Sequence, residues 1–228
     1  MFANYIHQLK QADLFSNMTT LEIQETLSHL SATVHNYQKD EIICLQGETF
    51  FKLGIILDGK VQSRKTYITN DAIDLSVLTV SNSFGEELVC SGHLMMPYNI
   101  HALQSCTILL IDGSSILNIN QESSHYMSKF LTNLLRVIAK RSISTSTQID
   151  FSRITSLKKR VALFLLHYYQ ETGTPLFTIP LSRHEMANYL SVTRPALSKV
   201  LAELKKEEII DYYRDSFKIE NLEQLMNQ

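Results

Sequence analysis

The sequence predicts an α+β chain built as two domains joined by a long helix. Three observations carry that expectation. Short β-rich runs broken by turn residues occupy about 34–111, amphipathic three- and four-residue spacing takes over beyond Ser114, and two capped helices followed by two short strands close the chain. The 228 residues exceed the roughly 100–200 at which one hydrophobic core usually closes, which favours two domains. Hydrophobic residues make up 44% and charged residues 19%, a globular composition that excludes a disordered or low-complexity chain.

The elements follow in order. Up to about residue 32, Leu14, Phe15, Leu21, Ile23, Leu27 and Leu30 recur at helical spacing, and Thr19 or Thr20 can cap a helix before Glu22. One or two short helices are expected there. From Val34 the runs EIICLQGE, KLGIILDGKVQSRKTYI, IDLSVLTV and ILLID read as strands, with Asp58-Gly59 marking a hairpin. Several short strands at this spacing suggest a sandwich or small barrel of jelly-roll type. A long helix is then expected from about residue 122, because Phe130, Leu131, Leu134, Leu135 and Ile138 form an apolar stripe. It continues weakly into Arg141-Ser-Ile-Ser-Thr-Ser-Thr147, where hydroxyl residues are mediocre helix formers, so the helix is either a domain spine or a dimer seam. The stretch SLKKRVALFLLHYYQETGTP is a further helix, stopped by Gly173 and Pro175.

The chemistry concentrates near the end of the chain. In LSRHEMANYLSVTRPALSKVLAELKKEEIIDYY, Ser182 caps a helix with Glu185 at the capping-box position, and that helix ends at Leu190. After a tight Ser191-Val192 link, Thr193 caps a second helix. Its Leu197, Val200, Leu201 and Leu204 face a core, while Arg194, Ser198, Lys199 and Lys205 face outward. A helix N-terminus with outward cations can meet phosphates while Arg194 reaches base edges in a major groove. Pro195 occupies the first turn, where its missing N–H is harmless. The stretch IIDYYRDSFKI reads as two strands around Arg214-Asp215-Ser216, a wing able to touch the backbone of a duplex. Charge agrees: residues 152–228 carry 11 basic against 9 acidic side chains, whereas 1–151 carry 10 against 14.

These segments resemble the Crp/Fnr family of bacterial regulators over nearly the whole chain. The helix-turn-helix stretch is the most specific part of the likeness, and DGKV and SFGEELV are similar to the family's barrel turns. The resemblance implies an N-terminal cyclic-nucleotide-binding-like β-barrel, a long dimerisation helix and a C-terminal winged helix-turn-helix. It implies domains at 1–121, 122–151 and 152–228. It also implies phosphate contacts from Ser182, Arg183 and Thr193, and base-reading positions at Arg194, Ser198 and Lys199. Double-stranded DNA, a second copy of the chain, RNA polymerase and a small-molecule effector are the implied partners. At Pro195 the sequence departs from relatives that place a base-reading Glu, so one base pair is left unread or read otherwise.

The effector is a separate question. Gly85-Glu86 matches the first half of the family's cyclic-nucleotide motif, but the Arg-Ser or Arg-Thr expected about ten residues on, where a cyclic phosphate needs a cation and hydroxyl donors, is absent. No Arg or Lys occurs in ELVCSGHLMMPYNIHALQSCT, and Met96-Pro97 stands in its place. Cyclic AMP is therefore not the expected ligand. Thr145 and Ser146 align with the helix hydroxyls that touch the nucleotide in relatives that bind it. Cys90, His93, Met95, Met96 and His101 gather soft ligand types that would suit haem or a metal ion. The plainer reading has Met96 and Cys90 filling a core and the histidines at the surface. Three cysteines, Cys44, Cys90 and Cys106, exclude a four-cysteine iron–sulfur site, show no metal spacing, and are expected as buried or half-buried free thiols.

Other classes fare worse. No nucleophile elbow, P-loop, GxGxxG or HExxH is present, so no enzyme is expected. The competing class is a small-molecule sensor or scaffold whose C-terminal domain binds protein instead of DNA. No apolar run approaches the roughly 20 residues of a membrane span, and the N-terminus lacks the pattern of a secretion signal, so a cytoplasmic protein without membrane partners is expected.

Overall fold

The structure is a computed structural model that describes residues 2–69, 71–118 and 125–228. They form two compact units, Met1–Arg141 and Ser142–Gln228. The expected domain edge at 121–122 and the expected helix start near 122 lie outside the described residues.

The first unit opens with helices α1 (Ile6–Gln11) and α2 (Thr20–His29). Thr19 caps α2 through a complete capping box with Glu22. The strands β1 (Thr33–Tyr37), β2 (Ile42–Cys44), β3 (Lys52–Asp58), β4 (Lys60–Thr66), β5 (Ala72–Thr79) and β6 (Ser83–Phe84) follow. Then come the short helix α3 (Glu86–Ser91), strands β7 (Asn99–Ala102) and β8 (Cys106–Asp112), and helix α4 (Gly113–Leu117). The strands pair antiparallel in two sheets ordered β1-β8-β3-β6 and β2-β7-β4-β5. The turn at Asp58-Gly59 stands between β3 and β4 as expected, but it does not close a hairpin: β3 pairs with β6 and β8 and β4 with β5 and β7, so the turn carries the chain from one sheet to the other. Gly59 makes that turn at φ +87°, a conformation that L side chains rarely adopt.

The continuous apolar runs KLGIILD and ILLID are explained by strands buried on both faces. In β3, Leu53, Ile55 and Leu57 join a core with α1, α2 and the start of the long helix, whereas Ile56 points the other way. In β8, Leu109 and Ile111 join the first core, while Ile108 and Leu110 join Val61, Met96 and Ile100 in a second core closed by residues of both sheets. Period-two side-chain alternation thus sorts one apolar run into two cores.

The long helix α5 (His125–Ser152) packs Met127, Phe130, Leu134 and Val137 against the first core. Buried Asn133 donates to the carbonyls of Leu14 (3.2 Å) and Ser16 (2.8 Å), and Lys129 Nζ lies 2.6 Å from Glu22 Oε1. The two Asn133 bonds satisfy backbone carbonyls of the N-terminal segment, and the Lys129–Glu22 ion pair ties α2 to α5. No described helix is long and apolar enough to cross a membrane.

The second unit contains the end of α5, α6 (Leu157–Thr172), β9 (Leu176–Thr178), α7 (Arg183–Tyr189), α8 (Arg194–Lys206), β10 (Ile210–Tyr213), β11 (Ser216–Ile219) and α9 (Leu222–Met226). Ser156 caps α6, and Gly173 ends it at φ +68°. The three strands pair antiparallel in the order β10-β11-β9.

Candidate nucleic-acid interface and sensor site

The helix pair α7–α8 is set by its caps. Ser182 accepts from the Glu185 N–H at 3.3 Å, and the Glu185 carboxylate accepts from the Ser182 N–H at 2.7 Å. The link turns at Ser191, which sits at φ +54° while Val192 N–H bonds the Ala187 carbonyl at 2.9 Å. Arg160 of α6 fastens the end of α7 by donating to the Leu190 carbonyl at 2.7 Å. Thr193 then caps α8, accepting from the Ala196 N–H at 3.4 Å. Leu197, Val200, Leu201 and Leu204 are buried, and Thr193, Arg194, Pro195, Ser198 and Lys199 are exposed. Amphipathic spacing has therefore turned the polar face of α8 outward, with Arg194 at its first turn.

Lys205, expected among the outward cations, has internal partners. Its Nζ lies 2.5 Å from Asp211 Oδ1 and 5.2 Å from the centre of the Tyr212 ring. Arg183 is half-buried, with its guanidinium 5.0 Å from the Tyr212 ring centre and 4.7 Å from that of Phe217. Burial there lowers the Arg183 pKa. The hairpin β10–β11 turns through Arg214 (φ +53°) and Asp215, whose carbonyl accepts from Ile179 N–H at 2.9 Å.

In the first unit, Gly85 adopts φ +84° and begins α3 where an added Cβ would collide with the Lys52 carbonyl. That turn buries Glu86 completely. Glu86 Oε2 accepts from Arg141 Nη1 at 2.6 Å, and Oε1 has no partner among the described residues. Arg141 also donates from Nη2 to the Ser83 carbonyl at 2.6 Å and lies 3.6 Å from the Glu87 carboxylate, which accepts from Tyr98 Oη at 2.8 Å. Burial pushes the Glu86 carboxyl up, with the Arg141 charge opposing it. Met96 is buried in the core between the sheets, its N–H on the Glu48 carbonyl at 2.9 Å, while Pro97 is exposed. Thr145 and Ser146 are exposed and belong to the second unit. Cys44 and Cys106 are buried, and burial pushes the Cys44 thiol up to about 12. Cys90 is exposed, against the expectation that it fills a core, because it lies on the outer side of the short helix α3. His93 and Met95 are exposed and His101 is half-buried. Among the described residues, no three His, Cys, Asp or Glu side chains converge as a metal-holding group.

Two family matches cover both halves of this geometry. Residues 34–123 match the cyclic nucleotide-binding domain, and residues 159–228 match the Crp-like helix-turn-helix domain. The chain belongs to the Crp/Fnr family. As a Crp/Fnr protein it is a transcription regulator with a DNA-binding helix-turn-helix. It is 27% identical over 158 residues to the HTH-type transcriptional regulator ycf28 of Porphyra purpurea, covering 67% of this chain and 64% of that protein, just under two thirds of its length. It is 20% identical over 191 residues to the global nitrogen regulator of Nostoc sp., covering 79% and 82% of the two chains. The catabolite activator protein of Thermus thermophilus shares the fold at TM-score 0.54 and 22% identity, covering 94% of this chain and 96% of that one.

In this Crp/Fnr chain the residues singled out in α7 and α8 lie on one motif, and Gly85 and Glu86 lie together at the start of α3. Sequence reasoning missed Arg141. The family pattern places a cation close after Glu86, whereas the cation paired with Glu86 comes from α5, 55 positions on. No spacing rule within a strand or helix links the two.

Proposed function

We propose that the protein binds two-fold symmetric duplex DNA as a homodimer and regulates transcription in response to an effector other than cyclic AMP. The exposed face of α8 carries this reading. Thr193 and Ser182, at the capped starts of the two helices, contact phosphates. Arg194, Ser198 and Lys199 face base edges, with the Arg194 guanidinium suited to the O6 and N7 of guanine. Arg183 is the carried-over phosphate contact whose geometry points elsewhere. Exposed Leu135 and Ile143, 68% accessible each, together with half-buried Leu131 and Ile138, supply apolar surface on α5 for pairing with a second copy. The effector residues implied in the barrel unit are Gly85, Glu86, Met96 and Pro97. Arg141, engaged by Glu86 and the Ser83 carbonyl, does not stand in for the missing Arg-Ser. Cytoplasmic location and contact with RNA polymerase complete the proposal.

Selection of bound duplexes from a random pool tests it. Enrichment of a two-fold sequence whose half-sites lie about 34–36 Å apart is the expected result. Failure to enrich any sequence would favour the protein-binding scaffold.

A further inference from the structure

Arg183 opens α7, yet its side chain turns away from the helix axis and lies over the wing. Its guanidinium carbon is within 5.0 Å of the ring centres of both Tyr212, on β10, and Phe217, on β11, and Nη1 is 3.7 Å from Met186 Sδ. The rings beneath it belong to a ladder: Tyr212–Phe217 at 5.8 Å, Phe217–Phe177 at 6.3 Å and Phe177–Tyr168 at 6.3 Å. Lys205 holds Tyr212 as well, with its ammonium 5.2 Å from the ring centre and in a salt bridge to Asp211. Both helices of the motif thus reach the same hairpin through a cation on an aromatic ring.

We propose that Arg183 is a positioning residue that clamps Tyr212 and Phe217, fixing the wing so that Arg214 at its turn meets a phosphate. This rests on the reading that the wing touches duplex DNA. A cation over a ring within about 6 Å is attracted more strongly as water is excluded, and the planar guanidinium can cover two rings where an ammonium cannot. Arg183 is half-buried, so reaching for a phosphate instead would uncover aromatic surface on the hairpin. The turn it supports holds Arg214 at φ +53°, an unusual backbone for a non-glycine residue that persists when its surroundings enforce it.

A double-mutant cycle on one duplex tests the clamp, using Arg183→Met, which keeps the apolar stem, and Arg183→Ala. In the unaltered protein Arg214→Ala should weaken binding about tenfold, the weight of one charge-assisted hydrogen bond. In either Arg183 variant the same change should weaken it less than about twofold. Equal losses in all backgrounds would overturn the clamp and return Arg183 to a direct phosphate contact. A second measurement needs no DNA. Amide exchange at Tyr212 and Phe217 should quicken in Arg183→Met but not in Arg153→Ala, an exposed substitution in the same unit. Unchanged exchange would also overturn the clamp. Were Arg214→Ala silent in the unaltered protein, the reading of the wing as a DNA contact would fail, and exchange alone would decide the clamp.

Discussion

At the residue scale, Arg194 and Pro195 stand side by side at the first turn of α8 with opposite capacities. Arg194 brings five N–H donors in a planar fork, whereas Pro195 brings none. Operator specificity should therefore lean on Arg194 and relax at the neighbouring base pair. Replacing Arg194 with Ala is expected to weaken specific binding by about 1–3 kcal/mol per half-site and leave scrambled duplex nearly unaffected. Parallel titrations of operator and scrambled duplex check this, and equal weakening of both would remove the base-reading role. Individual residues differed sharply in legibility. Thr193 and Ser182 could be read as caps because a cap is a local bond spanning three residues. Arg141 could not, because its bond to Glu86 exists only once sheet and helix have packed.

At the scale of elements, α5 carries an apolar stripe that packing splits into a covered and an uncovered part. The stripe at Phe130, Leu131, Leu134, Leu135 and Ile138 is one run on paper, but packing divides it: Phe130 and Leu134 are sealed in the first core, and Leu135 is left exposed. Periodicity gives the existence of an apolar face without saying which neighbour covers which part. Leu131, Leu135 and Ile138 keep a four- and a three-residue step, the spacing of a two-helix seam. An Asp at Leu135 would place a charge in such a seam, so sedimentation of Leu135→Asp should show one chain where the unaltered protein shows two. A dimer that survives the substitution would place the seam elsewhere.

The tie between α2 and α5 makes a second prediction at this scale. Lys129 and the Thr19 N–H hold the Glu22 carboxyl down at about 2, against an ordinary 4.5. A depressed carboxyl stabilises the fold when ionised, so its contribution is present above pH 4.5 and is lost as the pH falls towards 2. Melting of Glu22→Gln against the unaltered protein should show a deficit at neutral pH that closes over that acid range. A deficit independent of pH would mean that the ion pair contributes nothing.

At the scale of the whole molecule, the order of β-rich segment, long helix and winged motif could be read from texture alone, because each architecture imposes its own hydrophobic period. The chemistry of the barrel was less legible. Met96 departs from the nucleotide-binding pattern, but only packing shows it sealed between the sheets. A cyclic phosphate there would forgo charge-assisted hydrogen bonds worth about 1.5–3 kcal/mol each. Calorimetry with cyclic AMP is expected to show no micromolar binding, and a micromolar or tighter dissociation constant would refute that part of the account.

A chain that reads DNA sequence through the polar face of α8 must bind an operator in preference to other duplexes and lose affinity as salt rises. Anisotropy titration of the full chain on a selected operator and on a scrambled duplex, repeated from about 50 to about 200 mM salt, tests it most directly. A linear fall of log affinity with log salt is expected, with an operator bound about 10³-fold or more tightly than scrambled duplex at physiological salt. Affinity indifferent to salt, or the same for both duplexes, would contradict it.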